Sequence, residues 1–166
     1  MSFDTEKLLN DTWKIYFHDP SSNDWEKTSY VDLGEISTIS EFWNLYGVLK
    51  PQLHKGMFFV MREHIFPKWD DECNKEGSFA SIKILKNALG KFGEDIIIRL
   101  LGETLINYKI HNTDNWDVIN GISFSPKKHF CIVKIWMKNS KLNKKESFNI
   151  SNVYNGELLF KRNDYV

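Results

Sequence analysis

The stretch from Val118 to Lys138, VINGISFSPKKHFCIVKIWMK, constrains the fold of this chain more than any other. Two runs rich in β-branched and aromatic residues, roughly Val118–Phe124 and Phe130–Met137, flank the short basic turn Ser125-Pro126-Lys127-Lys128-His129. That pattern predicts a β-hairpin, and a hairpin commits the sheet it enters to antiparallel pairing. Further strands are expected at Thr12–Asp19, Ser29–Leu33, Met57–Met61, in FASIKIL, and near Leu158–Lys161. The cluster Pro20, Ser21, Ser22, Asn23, Asp24 marks a turn after the first of them. In SEFWNLYGVLK, residues Phe42, Leu45, Tyr46 and Leu49 recur at helical spacing. Ser40 is the expected N-cap of that helix, and Pro51 its stop. Gly90 and Gly93 predict a break, followed by a helix over EDIIIRLLGETL; another short helix is expected near Lys145–Tyr154. Irregular alternation of strands and helices around an antiparallel hairpin predicts an α+β domain, with helices on one face of a curved sheet.

The 166 residues suit one compact domain, read as a flexible lead over 1–11 and a single domain over 12–166. With 22 basic and 22 acidic residues the formal net charge is zero. Coating nucleic acid through bulk charge is thereby excluded, and any such contact must be local. Cys73 and Cys131 form no metal-ligand or disulfide pattern. The charged start MSFDTEKLLN lacks the apolar core of a signal peptide. No apolar run reaches membrane-span length. A cytoplasmic monomer without cofactor or metal is expected. Richness in Lys, Asn and Ile is the composition an AT-rich genome produces.

Six tryptophans and twelve phenylalanines are a heavy aromatic load for this length. Tryptophan either fills a core or stacks on something flat. Trp25 is flanked by polar residues on both sides, SSND and EKTS, so no apolar period buries it. Trp69 follows Pro67 in a loop and adjoins Asp70, Asp71 and Glu72. Two indoles can sandwich a positively charged alkylated purine, and a carboxylate can accept from its N–H edge. A nucleotide also carries phosphates, for which Lys127 and Lys128 in the turn are candidates. Strand alternation puts Lys134 on the same face as Trp136. Each feature alone also fits core packing or an ordinary solvated surface.

Taken in order, TWKIYF, the isolated Trp25, SEFWNLYG, PKWDDECNKEG, LLGE and KIW resemble the translation initiation factor 4E family of cap-binding proteins, over about Trp13 to Trp136. The resemblance implies a cupped antiparallel sheet with helices on its convex back and a cap site on the concave side. By it, Trp25 and Trp69 stack the 7-methylguanosine base, Asp70 takes the family's glutamate position, and Trp136 lies near the base methyl group. Lys127 and Lys128 fall where phosphate-binding residues are expected. Trp43 matches the dorsal tryptophan that meets the Tyr-x-x-x-x-Leu-Φ helix of scaffold and inhibitor proteins, with Ile39, Ile98 and Gly102 nearby. Capped mRNA and such a scaffold or inhibitor are the implied partners.

This chain also departs from the family pattern. Asp70 is a methylene shorter than glutamate, Ser125 stands where an arginine is expected, and Ala80 replaces a tryptophan. The segment before Val166 leaves little room for a long C-terminal loop, so a more open site that accepts extra cap methylation is expected. Alternative readings are a cap-binding repressor or viral replacement with a different partner, and an interaction module whose tryptophans are core. Catalysis has no support in residue spacing: three consecutive acids converge poorly on a metal, and the histidines match no nucleophilic or zinc pattern.

Overall fold

A computed structural model describes residues 7–109, 116–151, 154 and 156–163. The alternating runs form strands β1 (Leu8–His18), β2 (Tyr30–Thr38), β3 (Met57–Arg62), β4 (Ser78–Leu85), β5 (Ile119–Pro126), β6 (Phe130–Met137) and β7 (Leu159–Arg162). They make one sheet in the order β2-β1-β3-β5-β6-β4-β7, every neighbouring pair antiparallel. The hairpin expected from sequence is β5–β6, with Ile122 opposite Ile135 and Phe124 opposite Val133. Register shifts in β1–β2 and in β5–β6 mark bulges, which bend and coil a sheet.

Strict alternation sorts the strands' side chains onto two faces. Ile15, Val60, Ile82, Ile122, Val133 and Ile135 enter the main core, which α1 (Ile39–Leu49) and α2 (Lys86–Leu101) cover. Phe42, Tyr46 and Leu49 are the buried stripe of α1, as the helical spacing predicts. Tyr16, Phe59, Met61, Lys134 and Trp136 point to the opposite face.

Four local expectations are corrected. Strand β1 begins at Leu8 rather than Thr12, because Leu8 pairs with Thr38 and the Asp11 carboxylate accepts from buried Arg62 at 2.9 Å. Residues 1–6 of the expected lead lie outside the described residues. The N-cap of α1 is Thr38, not Ser40: its hydroxyl accepts from the Glu41 N–H at 3.2 Å, and the Glu41 carboxylate accepts from the Thr38 N–H at 3.1 Å. This reciprocal capping satisfies two otherwise orphaned donors.

Gly90 and Gly93 do not break the chain; α2 runs through both. A Cβ on Gly93 would lie 2.8 Å from Leu53 Cδ1 and 3.1 Å from the Tyr46 hydroxyl. That hydroxyl donates to the Gly90 carbonyl at 2.6 Å. These glycines let α2 approach α1 and the turn after it, and the contact outweighs their poor helix propensity. Finally, within the helix expected near 145–154, Lys145–Ser147 form a 3-10 turn that Phe148 leaves to bridge Ile106, and residues 152 and 153 lie outside the described residues.

Candidate functional site

Opposite the helices, the sheet and two loops enclose a cavity of about 530 Å³. Its floor comes from β3, β4, β5 and β6, through Phe59, Phe79, Ser123 and Trp136. Its walls carry Trp25 and Trp69, 46% and 48% exposed, from loops far apart in sequence. The structure therefore brings together five of the residues picked out by sequence: Trp25, Trp69, Asp70, Lys134 and Trp136 all line this cavity.

The Trp25 loop leaves β1 through a turn that its own polar residues hold. Asp19 accepts from the Ser21 N–H and hydroxyl at 2.8 and 2.7 Å, and Asp24 accepts from the Glu26 N–H at 2.9 Å. Below the indole lies His18, fully buried, its imidazole stacked on Trp25 at 4.0 Å with planes 3° apart. His18 Nε2 lies 2.7 Å from the Asp24 carbonyl, which fixes the ring. Tyr30 closes the set at 5.0 Å from His18 and 6.3 Å from Trp25. One face of the indole is thus occupied by protein, leaving the other for a ligand.

The Trp69 loop is held by its backbone instead. Buried Asn74 donates to the Phe66 and Lys68 carbonyls at 2.9 and 2.8 Å, while its own side-chain oxygen accepts from Asn120 at 2.9 Å. Asn163, just after β7, donates to the Asn74 carbonyl at 2.7 Å. Asp71 accepts from the Cys73 N–H at 3.0 Å, so this acid serves the loop. Asp70 is exposed at the cavity wall. Burial, with the Asp70 carboxylate in support, pushes the Tyr30 hydroxyl up to about 12. Tyr30 donates to the Pro67 carbonyl at 3.3 Å and thereby joins the two loops.

On the floor, Trp136 donates its indole N–H to Ser123 at 2.9 Å. Its ring consequently offers the cavity apolar surface and no free donor. Lys134 sits with its ammonium 4.3 Å above the Phe79 ring. Burial holds it below the usual lysine range, and Lys127 and Lys161 push it the same way. Lys134 and Lys161 therefore share one end of the site, with Lys127 acting on Lys134 from outside the cavity, and none of the three is ion-paired to another described residue. Lys127 and Lys128 do not line the cavity, because the turn carries them past the end of β5 into solvent.

Sequence reasoning misses His18, the asparagine set and Lys161. His18 reads locally as one more residue of an aromatic strand. Lys161 becomes visible only when β7 pairs it with Phe79 across β4. On the helix face, Trp43 is 48% and Ile98 42% exposed. Ile39 opens α1 half-buried, and exposed Gly102 closes α2. Glu94 pairs with Lys50 at 3.7 Å on the same face.

Among the described residues no helix is long and apolar enough to cross a membrane, and no cluster of three or more His, Cys, Asp or Glu side chains is arranged to hold a metal.

Comparison with known proteins places this architecture. The family described as Eukaryotic initiation factor 4E matches residues 8–165. Eukaryotic translation initiation factor 4E of Candida albicans is 28% identical over 148 residues, covering 82% of this chain and 66% of that protein. The chain thus spans just under two-thirds of that relative's length. A crystal structure of Ascaris suum eIF4E-3 with m7G cap superposes with a TM-score of 0.74 at 16% identity, covering 93% of this chain and 90% of that one. A schistosome eIF4E complexed with m7GpppA and 4E-BP gives 0.69 at 20% identity, over 81% of this chain and 73% of that one. At these identities the structural likeness establishes the fold, a curved antiparallel sheet backed by helices. With the profile matching nearly end to end, the chain belongs to the eukaryotic initiation factor 4E family.

Proposed function

We propose that this chain captures the 7-methylguanosine 5′ cap of mRNA, reversibly and without catalysis, in the cavity between Trp25 and Trp69. The carrying observation is that two half-exposed indoles and the exposed carboxylate of Asp70 line a single cavity. A methylated guanine is planar and cationic, so stacking between two electron-rich rings favours it over plain guanine. Asp70 accepts from the base edge and adds to that preference. Trp136 packs against the base, its own donor already satisfied. Lys134 and Lys161 meet the triphosphate, with Lys127 and Lys128 behind them at longer range. The relatives crystallised with m7G cap and with m7GpppA support this reading.

On the other face, Trp43, Ile98, Ile39 and Gly102 receive an amphipathic helix of a scaffold or inhibitor carrying Tyr-x-x-x-x-Leu-Φ, in the helix-in-groove mode. The schistosome complex with 4E-BP supports a protein partner of this kind. One cap-binding domain acting as a cytoplasmic monomer is the matching picture.

Tryptophan fluorescence titration with 7-methyl-GTP and GTP tests the reading, on wild type and Trp69→Ala. Quenching by the methylated nucleotide is expected to exceed that by GTP. The variant is expected to lose affinity at least tenfold, the scale of one stacking partner. Equal responses to the two nucleotides, or none to either, would overturn it.

A further inference from the structure

Beyond the cavity, the ligand face of the sheet continues along β4, β6 and β7 as an exposed strip with a definite composition. Alternation puts Phe79, Ser81, Lys83 and Leu85 of β4 on this face, and their buried neighbours Ala80, Ile82 and Ile84 in the core. The register sets Ser81 beside Lys134, Lys83 beside Ile132 and Leu85 beside Phe130. On β7, Leu159 lies opposite Ser81 and Lys161 opposite Phe79.

Three properties of the strip coincide. It holds no carboxylate: the outward positions of β4, β6 and β7 are Lys, Ser, Phe, Ile, Leu and Trp. Cation and ring are interleaved, since the Lys83 ammonium lies 4.9 Å over the Phe130 ring as Lys134 lies over Phe79. Large apolar side chains stand in water, Leu85 at 64% and Leu159 at 58% exposure. Bases stack on flat apolar surface while cations track phosphates, which is how sequence-tolerant single-strand sites work. The strip is also continuous with the cavity, from Trp136 out to Phe130. Six residue steps of β6 cover about 20 Å, longer than one nucleotide.

We infer that this strip is a single-stranded RNA track that receives the first nucleotides after the cap, with Lys83 and Phe130 as its principal contacts. The inference rests on the cap reading, which supplies the entry point. Polarity follows: the base is held at the Trp25–Trp69 end, the triphosphate crosses Lys134 and Lys161, and the chain leaves over Lys83.

The test is a fluorescence anisotropy comparison of a cap dinucleotide, a capped octamer and the same octamer uncapped. It uses wild type, Lys83→Glu and Phe130→Ala. The capped octamer is expected to bind wild type about tenfold tighter than the dinucleotide, the scale of one stacked base. Its salt dependence is expected to steepen by roughly 0.7 per added phosphate contact. Each variant should shrink the octamer's advantage while leaving dinucleotide affinity unchanged. Equal affinity of octamer and dinucleotide for wild type would overturn the track, as would an advantage that survives both variants. Sedimentation showing self-association lost in Lys83→Glu, with no RNA effect, would assign the strip to a second copy and overturn it too. If the dinucleotide itself does not bind, the cap reading fails separately. Uncapped octamer binding that Lys83→Glu abolishes would then still support the track, and its absence would sink it.

Discussion

The two tryptophan loops reach the same cavity by opposite means. The Trp25 loop fixes its ring: the indole lies flat on buried His18 at 4.0 Å, with Tyr30 at its side. The Trp69 loop fixes its backbone: Asn74, Asn120 and Asn163 satisfy its carbonyls, yet among the described residues no aromatic ring stacks on Trp69 itself. One jaw of the site is therefore set before any ligand arrives. The other has a fixed backbone and a ring that no aromatic neighbour braces among the described residues. On the cap reading, preorganisation in one jaw would save ordering entropy, and freedom in the other would let the site accept bases of different methylation.

The sharpest way to break this contrast is to remove the polar post. Asn74→Ala deletes three side-chain hydrogen bonds and leaves one of the two Asn120 side-chain N–H groups unmatched, the other still donating to the Cys73 carbonyl. Buried partners left unsatisfied cost about 1–3 kcal/mol each in the worst case. A total loss of roughly 2–4 kcal/mol in urea unfolding is expected, with weakened 7-methyl-GTP binding. A loss below about 0.5 kcal/mol would mean that loop is held by something else.

Next comes the aromatic brace. His18→Ala removes the ring beneath Trp25, and affinity for 7-methyl-GTP is expected to fall several-fold, about what one lost ring contact is worth. His18→Phe keeps a flat ring and should recover most of it. A brace acting only through overall stability would instead show the two variants tracking their unfolding midpoints, whichever ring is present. Comparable affinities for His18→Ala and wild type would show that the Trp25 jaw is as free as the Trp69 jaw.

The smallest effect is expected on the floor between the jaws. Burial keeps Lys134 below the usual lysine range, so from that lowered pKa up to the ordinary value the unfolded chain binds more protons. Stability contributed at this group therefore rises with pH across that window, and below it the buried charge is a constant cost. Lys134→Met should raise the melting temperature at neutral pH by only roughly 1–3 °C, because solvent screens the exposed side of the ammonium. The same substitution should weaken 7-methyl-GTP binding, and wild-type affinity should decline as pH climbs through the lowered Lys134 value. A variant that binds as wild type does, with an unchanged pH profile, would remove Lys134 from the phosphate path.

What could be read in the amino-acid order, and what could not, follows from distance along the chain. The β5–β6 hairpin and the inward stripe of α1 are written in spacings of two, three and four residues. Trp25 and Trp69 are legible because each stands among polar neighbours that give it no core to enter. The asparagine set is not, since Asn163 meets Asn74 across 89 positions and neither has a local pattern. Gly90 and Gly93 mislead for the same reason. Locally a glycine weakens a helix, and only the Tyr46 and Leu53 contacts explain why two stand inside one. Thr38 outcompetes Ser40 as a cap because the strand before the helix runs further than its composition suggests.

The cavity wall reaches from Trp25 to Asn163, and the second of these also ties down the loop that carries Trp69. That distribution sets a schedule for the chain as it is made. Everything up to β6 can emerge from a ribosome and begin to pair, but the jaw opposite Trp25 waits for β7 and Asn163. Synthesis proceeds at about 5–20 residues per second, so the cavity of each nascent copy stays incomplete for its first seconds. On the cap reading, a chain still being made would not yet hold the leading end of the message that encodes it.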